Sequence, residues 1–183
     1  MTKYILHGGY TRERNFDNDS FYKEWAQGLK GRIKILLCFF AEFKEKYFDE
    51  DKERLLKQNE NKDFQLEIAT VDSFEDQVKS SDVIYFRGGS MSNLIGALRK
   101  FPNLEKHFSG KVIVGSSAGA YALSKYFWNN DKNELQDGLG ILNIKCFCHY
   151  KNEDKENLKK LLDYKENLPI ITLPDYKWVT IYR

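Results

Sequence analysis

Cysteine is scarce in this chain. Cys38, Cys146 and Cys148 are the three present, and their spacing suits neither a disulfide framework nor a zinc site. Long apolar runs are missing. The longest, Ile35–Ala41, is far too short to cross a bilayer. Met1-Thr2-Lys3 leads into only a few apolar residues, so no secretory signal is visible. These absences point to a reducing, cytoplasmic setting without a membrane partner. A strong excess of one charge sign is lacking too. The net charge is +2, with Lys and Arg scattered among acids, which describes a solvated surface and makes no case for nucleic acid. Repeats, low-complexity segments and dividing linkers are lacking. Histidine is rare: His7, His107 and His149 are the whole supply, which narrows the search for a general base.

What is present suits one folded domain over residues 1–183. A chain of 183 residues, 42% hydrophobic, is long enough to bury a full core. Apolar strands alternate with amphipathic helices. Tyr4–His7, Arg32–Phe40, Phe64–Val71, Ser81–Phe86 and Lys111–Gly115 read as strands. Helical spacing marks a segment capped by Asp19 or Ser20 and running to Leu29. Helices are also expected over Ala41–Asn61, Phe74–Lys79, Met91–Lys100 and Asn152–Tyr164. Asn129–Gly138 reads as a polar loop and Leu139–Cys148 as an extended segment. Cys146 and Cys148 are two apart and face one side of it. Leu168–Leu173 and Lys177–Tyr182 close the list of strands. The pattern predicts an α/β fold: a doubly wound, mostly parallel sheet with helices on both faces. Ligands of such sheets bind beyond the carboxyl ends of strands. Gly8-Gly9, Gly88-Gly89-Ser90 and Ser117 all end strands.

Among them Lys111–Leu123, KVIVGSSAGAYAL, carries the clearest chemistry. A β-branched run meets Gly115-Ser116-Ser117-Ala118-Gly119, and a small-residue helical pattern follows. Gly-x-Ser-x-Gly between strand and helix matches a nucleophile elbow: the serine stands on a sharp turn, and flanking side chains must be absent. The plainer alternative is a helix packed closely on a strand. A serine hydroxyl needs a base to take its proton. His149, at a strand end downstream of Ser117, is the best placed; a structural strand-end histidine is the competing reading. Asp131 and Asp175 are both candidates to orient it, and chain order does not choose between them. Gly88 and Gly89 adjoin a helix N-terminus, where outward amides favour an oxyanion. Arg12, Arg14 and Arg87 are cationic candidates for a substrate carboxylate.

These pieces, in this order, resemble the dipeptidase E and cyanophycinase family of serine peptidases, with a class I glutamine amidotransferase-like, flavodoxin-like fold. Tyr85-Phe86-Arg87-Gly88-Gly89-Ser90 falls where that family has a strand followed by Gly-Gly-Asn. Gly115–Ala120 is similar to its Ser-Ala-Gly-Ala turn. Asn130-Asp131 and Asp137–Gly140 resemble its loop, His149 falls at its histidine, and Leu173-Pro174-Asp175 lies near its Leu-Pro-Glu. The resemblance implies a serine peptidase acting on small peptides, with no metal and no cofactor. It implies Ser117 as nucleophile, His149 as base and Asp131 or Asp175 as the acid. Ala118 and Gly89 would be the oxyanion donors, with Gly88 and Ser90 at the substrate edge. A homodimer is left open. Ser90 replaces the family's Asn, Asp175 its Glu, and Lys151–Lys160 contains no arginine to read an acidic side chain. The chain ends at Arg183, soon after Asp175, where relatives continue, as a minimal member or one lacking a completing strand would. Those departures motivate two alternatives: an inactive binding or regulatory homologue of the same fold, and an esterase or other acyl hydrolase.

Overall fold

The most apolar segments become the central strands. The computed structural model describes residues 1–183. Its larger sheet joins β1 (Lys3–His7), β2 (Arg32–Cys38), β3 (Asp63–Ile68), β4 (Val83–Phe86), β5 (Val112–Ser116) and β10 (Trp178–Tyr182) in the order β10-β1-β5-β4-β2-β3. All neighbours run parallel except β1 and β10. β4 and β5 are buried along their whole length, as strands covered on both faces must be.

Alternate side chains divide between two cores. Val83, Tyr85, Val112 and Val114 pack with Phe21, Tyr22 and Trp25 of α1 (Phe16–Glu24) and Tyr47 and Leu55 of α2 (Glu45–Gln58). On the opposite face, Ile84, Phe86 and Ile113 meet α3 (Phe74–Ser80), α4 (Met91–Leu98) and α5 (Ala118–Leu123). Each fully buried aromatic, such as Phe21, contributes roughly 2–3 kcal/mol through burial. The first helix starts earlier than its acidic residues suggested. Asn15 is its cap, its side chain accepting the Asn18 N–H at 2.9 Å, and Asp19 lies within the first turn.

The strands beyond the serine leave this sheet and form another. The helix after Ser117 lasts six residues and passes straight into β6 (Ser124–Asn129). The polar stretch that follows folds back as β7 (Glu134–Asp137), and β8 (Leu142–Cys148) and β9 (Ile170–Leu173) complete the order β7-β6-β8-β9. Two sheets therefore replace the one expected. β6 is covered on both sides. Phe127 joins the core beneath α5, while Tyr126 and Trp128 pack with Phe147 and with Leu161 of α6 (Lys155–Asp163). β8 runs parallel to β6 and β9.

Register then brings the two sheets together at their carboxyl ends. The Ser117 N–H donates to the His7 carbonyl at 2.9 Å, and the His149 N–H to the Gly8 carbonyl at 3.2 Å. Cys148 is paired with Leu173. The residues just past β1, β5, β8 and β9 thus share one edge.

Candidate active site

Ser117 stands where β5 turns into α5, with φ +49° and ψ −109°. That is left-handed backbone in which a side chain is crowded, and it persists only when the surroundings hold it. The bond to His7 is one such hold. The flanking glycines supply the space. A Cβ on Gly115 would lie 2.7 Å from the Gly119 carbonyl, and one on Gly119 only 2.0 Å from the Phe86 oxygen.

His149 follows β8. Its Nε2 is 2.8 Å from Ser117 Oγ, and its Nδ1 is 2.6 Å from Asp175 Oδ1. A carboxylate only accepts, so Nδ1 carries the proton and the Nε2 lone pair faces the serine hydroxyl. Asp131 makes no such bond. Its backbone N–H donates to Asn129 Oδ1, and the residue lines a small cavity of about 40 Å³ with Ser117, Ala118 and His149. Its neighbour Asn130 donates to the Cys148 carbonyl at 2.9 Å, as does the Tyr121 hydroxyl at 3.0 Å. The backbone before His149 is thereby fastened. Burial pushes the Cys148 thiol well up, which leaves no competing thiolate beneath the turn.

Ala118 and Gly89 both line the same small cavity. Ala118 is the first residue of α5, so its N–H has no acceptor within the helix. Gly89 has φ +140° and its N–H donates to nothing in the protein. Gly88 is different: its N–H donates to Ser116 Oγ at 3.1 Å, and Ser116 Oγ also meets the Tyr85 hydroxyl at 2.9 Å. Ser90 is exposed and caps α4, accepting from the Asn93 N–H at 3.4 Å. Of the other histidines, His107 pairs with Glu75 at 3.1 Å, away from Ser117.

Sequence reasoning overlooked a supporting layer. Gly9, at φ +130°, lies flat against His149: a Cβ there would come within 2.0 Å of the ring's Cε1. Its N–H donates to His7 Nδ1 at 3.0 Å, so His7 Nε2 is the donor to Asn18 Oδ1 at 2.8 Å. Asn18 Nδ2 in turn donates to the Tyr10 and Glu13 carbonyls. Burial, the leading cause, lowers the His7 pKa to about 4, so this ring is neutral near neutral pH. Tyr10 completes the wall, edge-on to His149 with ring centres 5.4 Å apart. The strand-ending Gly8-Gly9 pair was the available signal; it marked the edge without revealing what leaned on it.

The arrangement supplies a hydroxyl, a base with an oriented tautomer, and two free amides around one small space. That is equipment for acyl transfer. The profile of Peptidase family S51 matches residues 21–182. Among solved structures, a peptidase E candidate from Listeria monocytogenes EGD-e superposes with a TM-score of 0.69 at 19% identity, covering 99% of this chain and 94% of the other. A peptidase from an acI-B1 actinobacterium gives 0.64 at 19% identity, covering 98% and 83%. At that identity the likeness establishes the fold. No curated protein matches the sequence.

Proposed function

We propose, from the fact that this chain belongs to Peptidase family S51 and is thus a serine-type peptidase, that it hydrolyses small peptides through Ser117, His149 and Asp175. The observation that carries this reading is the unbroken hydrogen-bond path from Ser117 Oγ through the His149 ring to Asp175. Ser117 Oγ attacks the scissile carbonyl as its proton passes to His149 Nε2. Asp175 stabilises the imidazolium through Nδ1–H. The Ala118 and Gly89 amides hold the oxyanion, each worth on the order of 3 kcal/mol in comparable sites. His149 then gives its proton to the departing amine, and water repeats the sequence on the acyl-serine. Asp131 sits on the rim and contributes polarity there without touching the base.

A fluorophosphonate probe and a set of short peptides and simple esters test the reading. Labelling at Ser117, abolished in Ser117→Ala, together with peptide cleavage, is the expected result. A folded protein that resists the probe would be a binding homologue, and one that turns over esters alone would be an esterase. Either outcome overturns the proposal.

A further inference from the structure

The residue before the elbow serine carries a second hydroxyl, which takes no part in the proton path. Ser116 ends β5 and is 3% exposed. A buried hydroxyl needs partners. The hydroxyl of the fully buried Tyr85 lies 2.9 Å from Ser116 Oγ, and the Gly88 N–H donates to the same oxygen at 3.1 Å. Tyr85 is packed in turn on Trp25, with ring centres 4.4 Å apart. The acceptor offered to Gly88 therefore has a fixed place in the core.

That bond is the one hydrogen bond the backbone of Gly88-Gly89 makes within the protein. Before it, the Arg87 N–H is anchored to the Cys38 carbonyl at 3.1 Å; after it, α4 begins from its cap at Ser90. Between these anchors stand two glycines, the residue type with the widest choice of backbone conformation. The loop also runs against the elbow itself. A Cβ on Gly88 would lie 3.2 Å from Ser117 Cβ and 3.1 Å from the Ser116 carbonyl oxygen. Gly89 lines the small cavity shared by Ser117, Ala118 and His149. A turn of either glycine peptide plane would thus be felt at the reacting serine. The Ser116 hydroxyl could meet its own needs through Tyr85. What the Gly88 bond adds is a fixed plane for a peptide that no other hydrogen bond fixes.

We infer that Ser116 is a positioning residue for the peptidase reaction: its hydroxyl clamps the Gly88 amide to the elbow and so fixes Gly89 as an oxyanion donor beside Ser117. The effect on rate rests on the peptidase reading, whereas the clamp itself does not. Gly88 gives its N–H to Ser116, so Gly89 carries the loop's free amide. Without the clamp the glycines sample other conformations, and the rate falls with the fraction of molecules that hold the donor in place. An oxyanion donor acts on charge that develops in the transition state, so the loss belongs in kcat and not in KM. Removal of one whole donor costs about 10²–10³ in kcat, which sets the upper limit.

Steady-state kinetics on a peptide that the wild-type protein cleaves tests this with three variants, each checked for folding by its urea midpoint. Ser116→Ala should lower kcat by at least about tenfold and leave KM within about threefold. Tyr85→Phe removes the other buried hydroxyl but keeps the Gly88 bond, and its kcat should stay within about threefold of wild type. The double variant leaves neither hydroxyl without its partner and should match Ser116→Ala. A defect of buried polarity alone would appear in Tyr85→Phe as well. Wild-type kcat in folded Ser116→Ala, equal losses in the two single variants, or a loss confined to KM each overturns the inference. Amide hydrogen exchange in the native protein reads the clamp without any substitution. Gly88 should exchange at least about tenfold more slowly than Gly89, and equal rates overturn it. The two readings fail separately. Slow Gly88 exchange in a protein that neither takes the fluorophosphonate probe nor cleaves peptides defeats the peptidase reading, and with it the effect on rate. Labelling and cleavage that Ser116→Ala leaves unchanged defeat the clamp alone.

Discussion

Lowering the pH from 7 to 4 will protonate His7 and weaken the fold. His7 has no exposed surface and packs on Phe21 with ring centres 4.4 Å apart. Both ring nitrogens are committed: Nδ1 accepts from Gly9 and Nε2 donates to Asn18. A second proton would abolish the Gly9 bond and place a charge among apolar groups. Burial therefore lowers the pKa from 6.5 to about 4, against the opposing pull of the Asn18 bond. The unfolded chain takes up this proton near the ordinary histidine value, and the native chain only near the lowered one. Between the two, the unfolded state holds more protons, so stability rises with pH. The contribution is complete above pH 6.5 and is lost progressively as the pH falls to about 4. Its size, at about 1.4 kcal/mol per pKa unit, is roughly 3 kcal/mol. Carboxylates titrate in part of the same range, so His7→Gln serves as the reference. Urea denaturation at both pH values should show the wild-type advantage over the variant shrinking by about 3 kcal/mol in acid. An unchanged difference, or a His7 NMR titration at the ordinary histidine midpoint, would refute the reasoning.

Two further perturbations address the site. Asp175→Asn leaves His149 Nδ1 facing an amide, which no longer fixes the tautomer; kcat for a peptide should drop by about 10³–10⁴. Asp131→Asn should stay within about threefold of wild type, because Asp131 makes no bond to the ring. Equal losses in steady-state kinetics would remove the distinction. Gly9→Ala would drive a Cβ to within 2.0 Å of His149 Cε1 at a backbone φ of +130°. The rate of probe labelling at Ser117 should fall by at least about tenfold, and a rate equal to wild type would show that the loop does not position the base.

Much of the active edge was legible in the residues themselves. Val112–Val114 announced a buried strand because a strand covered on both faces is apolar throughout. Gly115 and Gly119 announced the turn because any side chain there meets backbone. Misreadings arose where local signals competed. Asp19 and Ser20 looked like helix caps, but Asn15 reaches the Asn18 amide first. The polar stretch after Asn129 looked like a loop, yet Glu134–Asp137 pairs with β6 as an edge strand, and edge strands need no apolar run. His7 looked like an ordinary strand residue, since its role depends on Asn18 in α1 and on the Gly9 amide in the turn after the strand.

The sequence by itself determined the short-range features: which segments bury both faces, where the chain turns sharply, and that Ser117 sits on one such turn. Those depend on neighbours along the chain, and the side chains spell them out. Tertiary structure alone decided the partnerships. Pairing of β8 with β9 sets Cys148 opposite Leu173 and so carries Asp175, not Asp131, to within hydrogen-bond reach of His149. Packing of α2 (Glu45–Gln58) against the larger sheet buries Asp51 beside Arg87, whose Nε donates to it at 2.8 Å. Such pairings join residues tens of positions apart. They follow from strand register and layer order, which no single stretch of the chain encodes.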